Sequence, residues 1–389
     1  MVRLSQAPVI SQEHHLAARP VGLRMYATAN TEGGYSVMPG GLARVAGTPV
    51  AQMISMQRGG GSKDTWVLSD GPVSHFSLLG HTITARELVR SPSNLSSRIV
   101  ENLFWFGRYT SRCDDSARLL RITLARFGDT SVIAARESAL AFCKGLQVFP
   151  PREKDEPEVG PDDALWTAIC DEKRSGSLTA NMRHLAWTGT QIREHLSLDN
   201  WLLLNHLPPA PSAADRAEHG MAVALAYLDK SLIFGVGLSG FAMDGMTRDN
   251  GWRFLMIGRH LERLAFMASA TACFVQRGLE KGWHGLDWLL EVADSSITYR
   301  SRYRAQAELL PMLDLVVFDD SNPHGVVFQL RKLLVHLGEL SAELGGNHHE
   351  VADDLQRLLH AYAAFDMTTL EQPPAMDLVR ALGLHPAVV

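Results

Sequence analysis

The spacing of hydrophobic and polar positions divides the chain into two regimes. Before about residue 90, short apolar stretches rich in β-branched and aromatic residues are broken by glycine and asparagine, which is typical of strands and hairpins. The clearest are VGLRMYA (21–27), GYSVMPGG (34–41) and DTWVLSD (64–70). After Leu95 the apolar positions recur every three or four residues, which is the helical period. RSPSN (90–94) is predicted to link the two regimes.

The second regime is predicted to be one all-helical domain, because no strand-like alternation stands out after residue 95. We therefore expect a mainly α fold: a large helical domain with an internal pseudo-repeat (91–389), preceded by a small Gly-rich β-containing segment (1–90). On residues 97–124 one apolar stripe comprises Ile99, Leu103, Phe106, Cys113, Ala117, Leu120 and Leu124. Further helices are predicted at about 130–147, 162–176, 178–198, 213–235, 248–279, 285–300, 323–343, 348–365 and 375–383.

The first helix of this domain has an unusual centre. Phe104, Trp105 and Phe106 are consecutive, so they project about 100° apart and cover nearly every side of the helix. A helix that is apolar all round is buried. Gly107 follows and indicates the close approach of another backbone. Glu101, Arg108, Arg112 and Asp115 are expected on one face, and buried charges of this kind must be paired because an unpaired one is very costly.

This Gly-Arg pattern occurs a second time, in WRFLMIGRHLERLAFM (252–267). Aligning Gly107-Arg108 with Gly258-Arg259 also superposes Arg112 on Arg263, at an offset of 151 residues. The repeat predicts an internal duplication in which two pseudo-equivalent helices face each other. Two interpretations of the charges stay open. They form structural ion pairs with residues such as Glu262, or the arginines bind an acidic or amide ligand, since guanidinium groups anchor carboxylate and phosphate bidentately.

The Gly-rich segment VMPGGLARVAG (37–47) and MQRGGGSKDTWVL (56–68) places glycines beside Arg44, Arg58 and Lys63. Flexible backbone beside cations is what a phosphate-covering loop needs. The segment is not a Walker A motif, because no Ser or Thr follows Lys63. A plain hairpin turn explains the same residues, so both interpretations stay open.

Composition, charge and motif spacing argue against several classes of protein function. The net charge of −5 argues against a nucleic-acid platform. No apolar run reaches about 18 residues and the N-terminus lacks the apolar core of a signal peptide, so we expect a cytoplasmic protein with no membrane partner. The four cysteines are far apart and are predicted to be buried, reduced thiols. No metal site is expected, because the adjacent histidines of NHHE (347–350) would project about 100° apart on a helix.

Four blocks of the second regime carry a family resemblance: SRIVENLFWFGRY, LSGFAMDGMTRDNGWRFLMIGRHLERL, LLEVADSSITYRSRY and SNPHGVVFQLRKLLVHL. In this order they resemble segments of the bacterial alpha-E domain family, from about Leu95 to about residue 385. Ser111 departs from the family pattern, which usually has Glu at that place in the first Gly-Arg helix; Glu262 keeps it in the second. The resemblance implies a ligand-binding role for a set of matching polar positions, with no catalytic residue assigned. These are Glu101, Asn102, Arg108, Arg112, Asp249, Arg259, Glu262, Arg263, Asp294 and Arg300.

The N-terminal segment is similar to the C-terminal end of the circularly permuted ATP-grasp family, through SQAPV (5–9), LRMYA (23–27), PGGLARVA and GGGSKDTWVL. That family joins a carboxylate to an amine through an acyl phosphate. The segments expected to hold adenine and the Mg²⁺ carboxylates are missing from this chain. We therefore expect no cofactor on this chain alone, and ATP and Mg only with a complete ATP-grasp partner. The resemblance places these residues in the Gly-rich part of the ligase site: Arg44, Gly59, Gly60, Gly61, Lys63 and Asp64.

Together the two resemblances predict an accessory or partner module of an ATP-dependent carboxylate–amine (peptide or amide) ligase system. Its partner would be the ATP-grasp ligase portion or a neighbouring pathway protein. The chain alone is not expected to be a competent ligase. The alternative is a non-enzymatic helical scaffold that binds another protein of the same pathway. An acid/base role for Glu101 or Glu262 has no support in the sequence.

Overall fold

A computed structural model describes residues 4–10, 15–29, 33–50, 54, 60–68, 71, 95–128, 133–149, 159–281, 285–304, 306–345 and 349–365. The predicted linker (90–94) and the predicted last helix (375–383) lie outside these residues. The chain divides into two compact units, Met1–Val89 and Arg90–Val389.

The first unit holds a four-stranded antiparallel sheet in the order β1-β2-β3-β4. Its strands are β1 (Gln6–Ile10), β2 (Leu16–Ala29), β3 (Tyr35–Val45) and β4 (Gly61–Thr65). The predicted stretches 21–27 and 34–41 fall in β2 and β3, which pair from Val21↔Val45 to Ala29↔Tyr35 with an irregularity between Met25 and Ala27. The prediction for 64–70 was displaced, since the strand there ends at Thr65.

This sheet buries little apolar surface. Ala43, Val45 and Ala46 are buried, whereas apolar side chains in the β2–β3 hairpin are exposed. Small antiparallel sheets need a hydrophobic face packed on something to be stable. The exposed set is Leu23, Met25, Tyr26, Tyr35, Val37 and Met38.

The described residues of the second unit form helices joined by loops, with no strand among them, which confirms the mainly α fold class. Its helices are α1 (Ser97–Gly128), α2 (Ile133–Gly145), α3 (Pro161–Cys170), α4 (Leu178–Gln191), α5 (Leu198–Asn205), α6 (Ala213–His219), α7 (Ala222–Gly240), α8 (Asn250–Lys281), α9 (Leu286–Val292), α10 (Ser296–Tyr303), α11 (Leu309–Leu313), α12 (Val326–Leu344) and α13 (His349–Ala363). Short π-helical turns extend α7 at Phe241–Gly245 and α11 at Asp314–Phe318.

Helices α1 and α8 form the centre of the unit. They pack on each other; α4 and α7 cover α1, and α12 covers α8. All seven residues of the predicted apolar stripe on α1 are buried in one core cluster. A second cluster surrounds the C-terminal half of the pair and includes Phe142, Phe274 and Trp288. The stripe was therefore a correct guide to the buried face.

Two predicted helices are broken where the backbone takes a positive φ. The stretch 213–235 is interrupted at Gly220 (φ 63°), which closes α6 by donating its N–H to Arg216 O. The stretch 285–300 is interrupted at Asp294 (φ 50°), between α9 and α10. Asp is one of the few non-glycine residues that tolerates this conformation. Helices α5 and α11 were not predicted.

Ala222–Gly245, comprising α7 and its π-helical turn, is the one described helical segment long and apolar enough to cross a membrane by length and composition. Its most apolar stretch is 44% buried inside the unit, where α7 packs on α1. Core helices of water-soluble domains pass the same test, so this feature is weak evidence for a membrane span.

Candidate functional site

Helices α1 and α8 meet at two glycines. A Cβ atom on Gly107 would overlap the carbonyl oxygen of Leu255 and lie 3.0 Å from its carbonyl carbon and 3.1 Å from the amide nitrogen of Arg259. A Cβ atom on Gly258 would overlap Phe104 O and stand at the same two distances from Phe104 C and Arg108 N. Leu255 and Phe104 are 151 residues apart in the sequence, and so are Arg259 and Arg108. The two glycines have the same separation. The two helices therefore face each other with pseudo-twofold symmetry, as the repeat predicts.

One side of this contact, which we call the Glu262 half, consists of Arg108, Arg112 and Glu262. Arg108 Nε donates to Glu262 Oε2 at 2.6 Å, and Arg112 donates to Oε1 from Nε at 2.6 Å and to Oε2 from Nη2 at 2.9 Å. The Glu262 side chain is only 12% exposed. Its carboxylate is shared by two guanidinium groups, so this half is charge-paired within the protein.

The pseudo-equivalent side, the Arg259 half, consists of Ser111, Asp114, Asp115, Arg259 and Arg263. Ser111 occupies the place that Glu262 holds in the other half. Arg263 donates from Nη2 to Asp114 Oδ2 at 3.2 Å, and its Nε lies 3.9 Å from Asp115 Oδ1. Arg259 has no carboxylate within ion-pair distance among the described residues.

The polar partner of Arg259 comes from another helix. Its Nη2 donates to Ser239 Oγ, near the end of α7, at 2.9 Å. Burial, together with the nearby positive charge of Arg263, lowers the pKa of Arg259 to about 10, although the negative charges of Asp114 and Asp115 oppose the change. A neutral hydroxyl does not neutralise a guanidinium, so Arg259 is a buried cation with incomplete compensation.

Two other ionisable groups of this region are perturbed. Burial raises the pKa of Asp115, although the positive charge of Arg263 opposes the change. His324, on the loop before α12, has a pKa lowered to about 2 by burial and by the positive charges of Arg263, Arg118 and Arg259. His324 is therefore a neutral imidazole at physiological pH. Strongly perturbed groups gathered at one place are found at functional sites more often than elsewhere.

The Arg259 half also concentrates unsatisfied hydrogen-bonding groups. Within the described part of the chain, eight buried side-chain atoms find no hydrogen-bond partner, and five of them belong to the Arg259 half and the adjoining Arg118. Buried polar atoms in native proteins are nearly always paired, so a concentration of exceptions calls for an explanation. These five atoms are Ser111 Oγ, Asp115 Oδ2, Arg118 Nε, Arg259 Nη1 and Arg263 Nε.

Other predicted site residues lie elsewhere. Glu101 is exposed and lines an apolar pocket of about 450 Å³ together with Phe104, and it forms none of the ion pairs found among the described residues. Asn102 donates from Nδ2 to Arg98 O in its own helix at 2.7 Å. Asp249 caps α8, since its Oδ1 accepts from Trp252 N at 3.0 Å. Arg300 is exposed on α10.

Asp294 connects the predicted set to the Arg259 half. Its Oδ1 lies 3.1 Å from Arg118 Nη1, and its side chain is 58% exposed. Arg118 in turn reaches Asp114 at 3.6 Å. Asp114, Arg118, Ser239 and His324 were not predicted from the sequence. The i,i+4 spacing of Asp114 and Arg118 was a usable signal, whereas Ser239 and His324 come from distant segments without a local one.

The predicted phosphate-loop residues lie in the first unit. Gly61, Lys63 and Asp64 belong to β4, and Arg44 lies on β3 opposite Ser62. Lys63 Nζ donates to Pro8 O. Residues 61–65 thus form a paired strand and not an open loop, Gly60 directly precedes it, and Gly59 lies outside the described residues. A phosphate role for this group stays a prediction.

The described residues offer little basis for metal binding or for reactions of a cysteine thiol. No group of three or more His, Cys, Asp or Glu side chains could hold a metal ion within the described ranges. Cys113, Cys143 and Cys170 are buried and Cys273 is partly buried. Burial raises the pKa of Cys143 and Cys170 to about 12, so both stay protonated and unreactive.

A duplicated pair of long helices, crossed at two glycines and joined by arginine–carboxylate contacts, defines the class of this all-α domain. The chain belongs to the Alpha-E family, described as "a predicted alpha-helical domain with a conserved ER motif", whose family model matches residues 95–386. In this chain the one Glu-Arg dipeptide is Glu262-Arg263. Its two residues point to different halves, since Glu262 binds Arg108 and Arg112 and Arg263 binds Asp114.

Curated relatives are mycobacterial. An uncharacterized protein of Mycobacterium tuberculosis is 27% identical over 399 residues, covering 95% of this chain and 43% of its own length. A second uncharacterized M. tuberculosis protein is 40% identical over 91 residues (23% of this chain, 15% of its own), and one of Mycobacterium leprae is 42% identical over 76 residues (20% and 13%). The chain thus spans less than half the length of the curated relatives it matches. No solved structure matches significantly.

Proposed function

We propose that this chain is an accessory module of an ATP-dependent carboxylate–amine ligase system. The helical unit would hold an acidic substrate or product, and the N-terminal sheet would dock on the ATP-grasp ligase portion or on a neighbouring protein that carries it. ATP and Mg would be bound by that partner. The observation that carries the proposal is the exposed apolar hairpin of the first unit.

The β2–β3 hairpin presents apolar side chains that a monomeric domain would ordinarily cover. Leu23 is 57%, Tyr35 76% and Val37 60% exposed. Contiguous exposed apolar surface marks interaction sites. The same segment resembles the end of a permuted ATP-grasp domain, so a ligase surface is the natural partner for it.

One curated relative carries counterparts of both units within a longer protein. The M. tuberculosis match covers 95% of this chain, so it takes in both units, within a protein more than twice as long. In that relative the counterparts of the sheet and of the helical unit are therefore joined to a large additional segment.

Mixing experiments test the proposal. The purified chain, added to an ATP-grasp ligase protein of the same pathway, is expected to change ATP turnover or the range of substrates accepted. The double variant Leu23→Ser, Val37→Ser should lose this effect, because it removes apolar contact area from the hairpin. The matched control is Ile233→Ser on α7, where the replaced side chain is 73% exposed. If the unaltered chain changes neither ATP turnover nor substrate range, the proposal fails.

The second candidate is a non-enzymatic scaffold, and a surface of α7 favours it. Ile233 and Val236 are 73% and 68% exposed and lie three residues apart on the same face, near the half-exposed Met243. A scaffold that binds a pathway protein through α7 would show the reverse pattern. Ile233→Ser would then abolish complex formation, and the hairpin variant would not.

A further inference from the structure

We propose that the Arg259 half is a binding site for the carboxylate of an amino acid or peptide, held at the place that the Glu262 carboxylate occupies in the other half. Ser111 is then the residue that keeps this place open to a ligand. The choice of an amino acid or peptide rests on the proposed ligase function, whereas the binding of a carboxylate rests on the geometry alone.

The pseudo-symmetry supplies the first step. In the Glu262 half, two arginines converge on one carboxylate supplied by the opposite helix. The pseudo-equivalent arginines are Arg259 and Arg263, and the position on the opposite helix that corresponds to Glu262 is Ser111, whose side chain is shorter by a methylene and the carboxylate group. The helices cannot close up around the smaller residue, because the contacts at Gly107 and Gly258 already bring both backbones to their limit.

The second step is that neighbouring residues compensate the positive charge of Arg259 only in part. Asp114 accepts from Arg263 and also lies near Arg118, so its carboxylate is already engaged. Arg259 is only 8% exposed, yet the only hydrogen-bond partner of its side chain among the described residues is the hydroxyl of Ser239. Its Nη1 atom is left without an acceptor. A cation in this state attracts an anionic ligand group.

The unsatisfied atoms specify the ligand chemistry. Ser111 Oγ, Arg259 Nη1 and Arg263 Nε are donors, and a carboxylate offers two oxygens with about four acceptor positions. Asp115 Oδ2 is the one unsatisfied buried carboxylate atom among the described residues, and the ammonium or amide N–H of an amino acid or peptide would satisfy it. A phosphate is a poorer fit, because its second charge would face Asp114 and Asp115.

Two further features adjoin the site: the neutral side chain of His324 and the Arg118–Asp294 ion pair. His324 carries no charge at physiological pH, so it adds no competing cation on that side. The Arg118–Asp294 ion pair forms the edge that reaches solvent, since Asp294 is more than half exposed.

Substitution of Ser111 gives a direct test. Ser111→Glu recreates the Glu262 arrangement and supplies the carboxylate from the protein. It is expected to raise the melting temperature and to abolish the binding of L-glutamate measured by titration calorimetry on the chain alone. Ser111→Gln has the same size without the charge, so it should also block binding but leave the melting temperature below that of Ser111→Glu.

Arg259→Met separates a loss of binding from a loss of folding. It removes the cation and keeps an apolar side chain, so the variant should stay folded while its affinity for L-glutamate falls at least about tenfold. Acetate should bind the unaltered chain more weakly than L-glutamate, and inorganic phosphate should not compete. Unchanged binding in Ser111→Glu or Arg259→Met would overturn the proposal, as would stronger binding of phosphate than of L-glutamate.

The assay separates this inference from the proposed function, because it needs no ligase. Binding that is lost in Ser111→Glu, together with no effect on a ligase partner, keeps the site and rejects the ligase assignment. An effect on the ligase, together with no binding of L-glutamate to the unaltered chain, rejects the site and keeps the assignment.

Discussion

The difference between Glu262 and Ser111 decides how the two halves of the central pair behave. The arginines are retained in both, but only the Glu262 half has its carboxylate at the pseudo-equivalent place. A buried ion pair is expensive to break, because removal of one partner leaves the other uncompensated. The Glu262 half is accordingly structural, and the Arg259 half has spare binding capacity.

Glu262→Ala should therefore destabilise the protein. Arg108 and Arg112 would lose their common acceptor, but they are 24% and 32% exposed, so water would screen part of the loss. We expect a fall in the free energy of unfolding on the order of 2 kcal/mol. Urea denaturation measures this change.

The matched control for that measurement is Glu172→Ala. Glu172 also accepts from an arginine, Arg183, but both side chains are more than half exposed. Its loss should cost about 0.5 kcal/mol or less. Equal effects of the two substitutions would show that the Glu262 carboxylate is not a buried structural partner.

His260 predicts how stability depends on pH. Burial lowers its pKa to about 3, against a bond to Gln329 that raises it. Because the pKa in the folded state lies below the ordinary value of 6.5, the unfolded state binds more protons between these values. Stability is therefore complete above pH 6.5 and is lost as the pH falls toward 3, by at most about 1.4 kcal/mol per pH unit.

His260→Asn tests this dependence, since its amide retains a hydrogen bond to Gln329 but does not titrate. The stability difference between the unaltered chain and the variant should shrink from pH 8 to pH 5, as measured by urea denaturation at each pH. A pH-independent difference for His260→Asn would contradict the assignment.

The helix pair depends on two glycines in a way that most helix glycines do not. In a helix interior, Gly→Ala ordinarily stabilises by about 0.5–1 kcal/mol through propensity and chain entropy. At Gly107 and Gly258 a Cβ atom would overlap a carbonyl oxygen of the opposite helix. Rigid backbone cannot yield as a flexible side chain can, so the sign of the effect should reverse.

We expect Gly107→Ala and Gly258→Ala each to destabilise by about 2–4 kcal/mol, comparable to overpacking a core. The pseudo-symmetry predicts similar costs for both. Gly338→Ala on α12 is the control, because nothing lies within 4 Å of its would-be Cβ and it should be neutral or stabilising. Thermal unfolding of the three variants checks the order; a neutral Gly107→Ala would exclude the close crossing.

Elements with a local signature were predictable, and contacts between distant segments were not. The stripe on α1 and the repeated Gly-Arg pattern follow from helical period alone, so the central pair could be anticipated. The partner of Arg259 could not, because Ser239 reaches it through the packing of α7. Glu101 shows the same limit: its angular position suited the charged face, but it lies seven residues, or about two helical turns, before Arg108.

The two units also differ in how much core holds them together. The helical unit buries two large clusters around α1 and α8, whereas the buried apolar residues described in the sheet are Ala43, Val45 and Ala46. Local opening costs less where few apolar contacts are lost. Hydrogen exchange followed by mass spectrometry should therefore show amides of β2 and β3 exchanging at least about tenfold faster than those at the centre of α1 and α8.

The same measurement tests what the exposed hairpin is for. If the ligase portion covers it, addition of the ligase-bearing protein should slow exchange in β2 and β3, because their strands would no longer open in solvent. Exchange in α7 should stay unchanged and serves as the internal control. Protection confined to α7 would favour the scaffold, since Ile233 and Val236 would then be the covered surface. Protection in neither element would leave the apolar hairpin without the ligase partner that we assign to it.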